Sequence, residues 1–330
     1  MLQRLLRNGN GDRAADASSE RPAPPRPNVG LALGGGAARG FAHIGVLRVL
    51  EENGIVPDVI VGTSIGAVAG GCYAYSQLDA FEDWARGLNA RGVLGYLDIS
   101  LGGSGLISGD RLAKRLELAL GDVAIEDLPR QFAAIATELG TGHEIWLTRG
   151  RLIHALRASY ALPGIFNPIR VGGRWLVDGA LVNPVPVSAA RALGARLVIA
   201  VNLNADLLGH GVTISNHGSD EDDARELQMT RERPGGLRNL LNLENLLKRQ
   251  FMDVSGRPNV ANVMIDAFNI IQDRVTRSRL AGDPPDVMIS PRLGKIGLFD
   301  FHRAREAIAL GEQAAHKAVP DIVEALSALT

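Results

Sequence analysis

The chain of 330 residues is long enough for one large α/β domain or two ordinary ones, and it can bury a substantial core. Its 35 Lys and Arg nearly balance 36 Asp and Glu, and the formal charge of -1 argues against a nucleic-acid-binding protein. The single cysteine, Cys72, excludes an internal disulfide and a cysteine-rich zinc site, and it fits a reducing, cytoplasmic compartment.

The first 27 residues predict a disordered tail that ends in a stiff linker. Two early arginines are not followed by the apolar stretch of a secretory signal peptide. Prolines at positions 22, 24, 25 and 27 are typical of an extended linker. We therefore expect one folded domain over residues 28–330.

Two strand-turn-helix units follow in succession. The apolar run at 28–33 ends in Gly34-Gly35-Gly36, and a helical pattern continues from there to "ENGI". Pro57 and Asp58 then introduce "VIVG", a turn contains Ser64, and small residues suited to a closely packed helix continue to about Tyr75. Two such units imply a parallel sheet.

Further strand candidates extend this sheet. They are the short apolar stretches at 132–137, 143–148, 174–178, 196–203 and 286–290. Helical patterns separate most of them, and an amphipathic pattern at 301–329 predicts one or two helices that close the fold. The sequence thus predicts a three-layer α/β/α sandwich with a mainly parallel central sheet.

The composition changes at 205–258, where polar, acidic and glycine-rich residues predict a mobile insertion. Inside it, the leucines of 237–251 fall near one helical face. Such a helix can pack on the domain, or it can act as a lid or interfacial helix that meets lipid or a partner. The second interpretation adds peripheral contact with the inner membrane to a cytoplasmic protein.

The charge-free stretch "VIVGTSIGAVAG" has two incompatible interpretations. Its regularly spaced glycines resemble a helix-packing seam inside a membrane. However, a span needs roughly 20 predominantly apolar residues, and this run contains several polar ones. The β-branched triplet after Pro57-Asp58 also favours the start of a strand. We therefore favour a soluble strand and turn over a span.

The same stretch contains Gly62-x-Ser64-x-Gly66, the pattern of a turn that presents a nucleophilic serine. Small residues two positions before and after the serine allow the tight turn to form without collisions. The following helix directs its N-terminal N–H groups toward the serine, which stabilises negative charge there. The strand before the motif and the small-residue helix after it favour a nucleophile.

The first glycine turn invites a dinucleotide-binding interpretation, and with it an oxidoreductase. The required third glycine of that fingerprint is replaced by Arg39. Three consecutive glycines near a nucleophile can instead direct backbone N–H groups at a tetrahedral intermediate, so Gly34, Gly35 and Gly36 are candidates for an oxyanion hole. Arg39 is a candidate supporting residue that fixes this loop or lies near an anionic substrate group.

A serine nucleophile needs a base, and histidine is the usual candidate. Of seven histidines, only His302 follows a predicted strand in a position suited to a hydrolase triad. Asp178 is the alternative, because it ends the strand "RWLVD" and precedes Gly179, where side chains of α/β active sites gather. An aspartate there also commonly serves only to form a turn.

Four linked motifs resemble the patatin-like phospholipases in order and spacing. They are Gly34-Gly35-Gly36-x-x-Arg39-Gly40 with "FAHIGVL", Gly62-Thr63-Ser64-Ile65-Gly66, "ASYALPGIFNPI" at 158–169, and Asp178-Gly179-Ala180 with "LVNPVPV". The resemblance is close over about 28–204. "IIQDRVTRSRL" and "PPDVMISPRLGKIGLFDF" are similar to the stand-alone bacterial members related to the catalytic domain of neuropathy target esterase.

The resemblance implies a serine lipid acyl hydrolase that acts on phospholipids or lysophospholipids without a metal or cofactor. It implies a dyad in which Ser64 is the nucleophile and Asp178 the base, it places the oxyanion hole at Gly34 to Gly36, and it leaves His43 a structural role. Ala180 departs from the second glycine of many members. The alternative function is a catalytically silent regulatory or adaptor protein on the same fold.

Overall fold

A computed structural model of the chain describes residues 28–89, 108–206 and 260–329. The tail and linker expected at 1–27, the helix expected at 237–251 and all but the first two residues of the insertion expected at 205–258 lie outside the described residues. These three expectations, and the single domain over 28–330, therefore stay predictions.

A mixed sheet of eight strands lies at the centre of the described residues. The strands are β1 (Val29–Leu33), β2 (Val59–Thr63), β3 (Gln131–Glu138), β4 (Glu144–Leu147), β5 (Ile169–Val171), β6 (Arg174–Asp178), β7 (Leu197–Val201) and β8 (Val287–Ile289). Their order is β5-β6-β3-β2-β1-β7-β8, and β4 also pairs with β3.

The central strands β3, β2, β1, β7 and β8 run parallel, which confirms the predicted sheet. Antiparallel pairing is confined to one side, where β4 and β6 pair with β3 and β5 pairs with β6. All seven predicted strands are present. The short strand β5 was not predicted, because three residues, none of them buried, give too weak a periodic pattern.

Helices cover both faces of the sheet, as the predicted sandwich requires. They are α1 (Ala42–Glu52), α2 (Ile65–Ala74), α3 (Leu78–Gly87), α4 (Asp110–Leu120), α5 (Leu152–Ser159), α6 (Val187–Ala192), α7 (Val260–Gly282) and α8 (Ala304–Ser327). Successive strand residues alternate between two cores: Leu31 packs with residues of α1, α2 and α8, whereas Ala32 packs with residues of α6.

The charge-free stretch is divided between β2 and α2, so it is not one continuous helix. Every residue of β2 is buried, and its β-branched side chains suit a strand covered on both faces. Within the described ranges, no helix has the length and apolar character needed to cross a membrane. The preference for a strand and turn is confirmed, and this strand places Ser64 at the carboxyl end of the parallel sheet.

Candidate active site

Ser64 occupies a sharp turn between β2 and α2. Its φ of 57° and ψ of -125° are unusual for a residue with a side chain. The turn leaves no room beside it: a Cβ at Gly66 would lie 2.2 Å from the carbonyl oxygen of Leu33, and one at Gly62 would lie 2.4 Å from the Ala67 nitrogen. The two glycines of the motif are therefore required by packing.

Ser64 and Asp178 are in direct contact, although 114 positions separate them in the sequence. The Ser64 hydroxyl donates a hydrogen bond of 2.6 Å from Oγ to Oδ2 of Asp178. The other carboxylate oxygen, Oδ1, accepts a bond of 2.8 Å from the amide of Ala180. The carboxylate is therefore held from both sides, and the predicted nucleophile and base form one hydrogen-bonded pair.

Burial changes the acidity of Asp178, which is 2% exposed. Loss of water raises the pKa of its carboxyl from 3.8 to about 7, and the hydrogen bonds from Ser64 and Ala180 offset only part of this shift. A carboxylate of ordinary pKa is a weak base for a serine hydroxyl. A carboxyl whose pKa lies near neutrality is better matched to proton transfer.

Ser159, at the end of α5, fixes the turn from behind. Its hydroxyl accepts a hydrogen bond of 2.9 Å from the Ser64 amide and donates one of 2.6 Å to the carbonyl oxygen of Ile135 in β3. It is fully buried. The sequence contains Ser159 within the "ASYALPGIFNPI" motif but gives no sign of its partner, because the contact joins residues 95 positions apart.

The three glycines of the first turn differ in how their amides are used. The Gly34 amide donates to the carbonyl oxygen of Val201, and the Gly35 amide donates to that of Pro184, each at 3.0 Å. Within the part of the chain that the structure describes, the amides of Gly36, Ala37 and Ile65 have no acceptor. Of the predicted glycines, only Gly36 thus keeps an unused N–H group.

His43 and His302 do not contact Ser64. Nε2 of His43 lies 2.8 Å from the carbonyl oxygen of Gly34, and burial lowers the pKa of His43 to about 4. The neutral ring therefore donates to the glycine loop, which supports the structural role expected for it. His302 lies in a short 3-10 helix with an exposed side chain, so the triad position considered for it is wrong.

Arg39 holds the glycine loop through a buried network. Its Nε donates to the carbonyl oxygen of Ile296, and a terminal nitrogen donates to Oδ1 of Asn204 at 2.7 Å. The side-chain nitrogen of Asn204 is shared between the carbonyl oxygen of Gly35, at 3.2 Å, and Oε1 of Gln272, at 3.1 Å. Arg39 therefore fixes the loop, which is one of the two roles considered for it.

A cavity opens beside Ser64 and Asp178, and its empty space is about 850 Å³ when the part that is open to solvent is included. Its lining is mainly aromatic and aliphatic, and it includes Gly36, Ala37 and Ile65, whose amides are unused. Among the residues that the structure describes, the lining contains no lysine or arginine. An apolar chamber with a few convergent polar groups is the usual form of a site for an apolar ligand.

The Patatin-like phospholipase family model matches residues 31–191, a range that contains Ser64 and Asp178. A Mycobacterium tuberculosis protein described as an uncharacterized NTE family protein, Rv1063c, is 33% identical over 89% of this chain and 91% of its own length. The rat patatin-like phospholipase domain-containing protein 7 is 35% identical, over 57% of this chain and 15% of that protein.

Among solved structures, VipD from Legionella pneumophila has a TM-score of 0.49 and 14% identity over 89% of this chain and 67% of its own. The sequence comparisons are the stronger result, because the mycobacterial relative matches almost end to end. The chain therefore belongs to the patatin-like phospholipase family. Proteins described as NTE family members are among the relatives that match about nine-tenths of its length.

Proposed function

We propose that this protein is a serine ester hydrolase that releases fatty acids from phospholipids or lysophospholipids through an acyl-enzyme intermediate on Ser64. One observation carries the proposal: Ser64 Oγ donates a 2.6 Å hydrogen bond to Asp178 Oδ2 at the wall of a large apolar cavity. Membership of a phospholipase family supports the same class of reaction.

The first step is acyl transfer to the serine. The ionised Asp178 carboxylate accepts the Ser64 hydroxyl proton while Oγ attacks the carbonyl carbon of the ester. As the tetrahedral intermediate collapses, the bond from carbon to the alcohol oxygen breaks, and the departing alcohol takes the proton from Asp178. The products of this step are the free alcohol, such as a lysophospholipid or glycerophosphodiester, and an ester on Ser64.

Deacylation repeats the step with water. Asp178 accepts a proton from a water molecule while the water oxygen attacks the acyl carbonyl carbon. As the bond from that carbon to Ser64 Oγ breaks, Ser64 takes the proton from Asp178 and the fatty acid leaves. The oxyanion formed in each step needs donors that are not already engaged. We assign this role to the amides of Gly36, Ala37 and Ile65, because these three residues line the cavity, and not to those of Gly34 and Gly35.

The lining of the cavity favours a fatty acyl chain over a polar substrate. Phe41, Phe166, Phe268, Phe299 and Phe301 contribute rings to its walls. Each methylene removed from water contributes about 0.8 kcal/mol, so a chain buried here supplies binding energy without specific polar contacts. The described part of the lining offers an acyl chain apolar contacts and offers a charged headgroup no cationic partner, so we place the headgroup outside this cavity.

Steady-state hydrolysis tests the proposal. Wild type should cleave a chromogenic acyl ester and release fatty acid from lysophosphatidylcholine, with products identified by mass spectrometry. Ser64→Ala and Asp178→Asn should each lower kcat by about a thousandfold or more, because each removes one member of a unit that acts together. Arg174→Lys, at an exposed ion pair with Glu138, serves as a control with unchanged kcat.

The alternative, an adaptor without catalysis, gives opposite results. It predicts no ester cleavage in wild type and no difference between wild type and Ser64→Ala. Retention of a partner that depends on residues 205–258 would then favour the adaptor. Peripheral membrane contact through 237–251 stays a prediction, which vesicle sedimentation of the full chain with and without those residues would test.

A further inference from the structure

A second, smaller pocket lies next to the one at Ser64, with about 340 Å³ of empty space that is partly open to solvent. Three side chains line both cavities: Trp84 of α3 and Leu112 and Leu116 of α4. They therefore form a wall between the two spaces. On the far side, the second cavity is lined by residues such as Cys72, Ala80 and Ala119, which do not line the first.

Aromatic packing fixes the position of Trp84 in this wall. Its ring stacks on Phe81 with centroids 5.8 Å apart, and it meets the edge of Phe41 at 5.9 Å. Phe41 also contacts Phe301 at 6.0 Å. Such pairs contribute beyond their area of burial and restrict ring motion. Because Phe41 is fully buried, the partly exposed indole cannot move toward it without disturbing the core.

We propose that Trp84, with Leu112 and Leu116, closes the end of the acyl-chain cavity and thereby sets the longest acyl chain that the enzyme accepts efficiently. The inference rests on the proposed function. The substrate chain enters from Ser64, fills the first cavity and ends at this wall, and the second cavity stays unused behind it. Trp84 is therefore a specificity-determining residue.

The physical reason is the cost of a poor fit in a close-packed site. A chain that is too long must displace the indole or leave methylenes in water, and one misfit methylene in an apolar pocket changes kcat/KM by about tenfold or more. Removal of the indole joins the two cavities. Longer chains then gain apolar contacts behind the former wall, whereas short chains lose contacts and gain nothing.

The test compares variants on lysophosphatidylcholines of increasing saturated acyl length. Trp84→Ala should move the kcat/KM optimum to longer chains, raising the ratio of long-chain to short-chain kcat/KM by about tenfold or more. Leu112→Ala should shift it in the same direction by less. Leu118→Ala, the same change on the same helix at a side chain 74% exposed, should leave the length profile unchanged.

A second substitution distinguishes a joined cavity from a general loosening of the site. Ala119 lines only the second cavity, so Trp84→Ala combined with Ala119→Phe refills the space that the first change opened. The double variant should return to the wild-type length profile. If Trp84→Ala does not fold, Trp84→Leu, which keeps an apolar side chain, and Leu112→Ala decide the question.

Binding measured without turnover separates this inference from the proposed function. Calorimetric titration of saturated fatty acids of the same lengths should show the same shift in Trp84→Ala. If the preferred fatty-acid length for binding shifts in Trp84→Ala but wild type hydrolyses no ester, the role of Trp84 is supported and the proposed hydrolase function is contradicted. If wild type hydrolyses the esters but folded Trp84→Ala and Leu112→Ala keep the wild-type length profile, the role of Trp84 is contradicted and the proposed hydrolase function is supported.

Discussion

The acidity of Asp178 determines the pH at which the proposed reaction runs. Only the ionised carboxylate can accept the Ser64 proton, and burial raises its pKa to about 7. We therefore expect kcat/KM to rise with pH through a midpoint near 7 and to level off above it. A pH series with a chromogenic ester, corrected for spontaneous hydrolysis, measures this. A midpoint near the ordinary carboxyl value of 3.8 would contradict the account.

The same carboxyl lowers stability at high pH. Its pKa is higher in the folded chain than in the unfolded chain, so the free energy of unfolding falls as pH rises from about 4 to about 7. Asp178→Asn removes this penalty, which is on the order of 2–4 kcal/mol above pH 7. The inactive variant should therefore be more stable than wild type at pH 8.

Denaturant unfolding at two pH values measures this effect. The stability gap between Asp178→Asn and wild type should narrow from pH 8 to pH 5, because at pH 5 the folded wild type already holds the proton. Equal or lower stability of the variant at pH 8 would mean that the carboxylate is better solvated than its 2% exposure indicates.

At the scale of elements, the turn between β2 and α2 depends on close packing as much as on backbone angles. Gly66→Ala would place a Cβ 2.2 Å from the carbonyl oxygen of Leu33, so the turn or β1 must shift. We expect a loss of stability of about 1–3 kcal/mol and a large fall in kcat, because the shift moves Ser64 away from Asp178. Thermal unfolding and kinetics check both effects.

Gly87→Ala is the matched control for this substitution. It is the same change at a helical glycine, in α3, where a Cβ would have nothing within 4 Å. Alanine is the better helix former by about 1 kcal/mol, so this variant should be as stable as wild type or more so, with unchanged kcat. Equal effects of the two changes would show that the collision at Gly66 does not matter.

At the scale of the whole molecule, the site depends on residues that are distant in the sequence. Arg39 joins Asn204 and Ile296, which lie 165 and 257 positions away, and Asn204 in turn joins Gln272 of α7. A lysine has one compact ammonium group and cannot reproduce the two directed bonds of the guanidinium. We expect Arg39→Lys to lower the free energy of unfolding by about 1–3 kcal/mol. We also expect it to lower kcat by a larger factor than it changes KM.

Arg174→Lys again provides the comparison, since its side chain is 55% exposed and should change stability by no more than about 0.5 kcal/mol. Denaturant unfolding and steady-state kinetics of the two variants test the network. If Arg39→Lys matches wild type in both, the network does not position the glycine loop.

The sequence was informative where the chemistry is local. Gly62 and Gly66 predicted the turn at Ser64, and the buried strands were recognised from short apolar runs. The sequence did not predict that Gln272 and Trp84 line the cavity. A polar residue and an aromatic residue are both common on amphipathic helices, so nothing in their neighbouring residues marks them as part of a site. The sequence also could not predict that the amides of Gly34 and Gly35 already donate hydrogen bonds, since their acceptors lie on distant segments.

Covalent labelling of Ser64 tests the central claim most directly. Wild type should react with a fluorophosphonate to give one adduct, which peptide mass spectrometry assigns to Ser64, and the adduct should be absent in Ser64→Ala. Asp178→Asn should react far more slowly, because the hydroxyl loses the base that lies 2.6 Å away. No adduct in wild type, or equal labelling rates in wild type and Asp178→Asn, would contradict the proposed nucleophile and base.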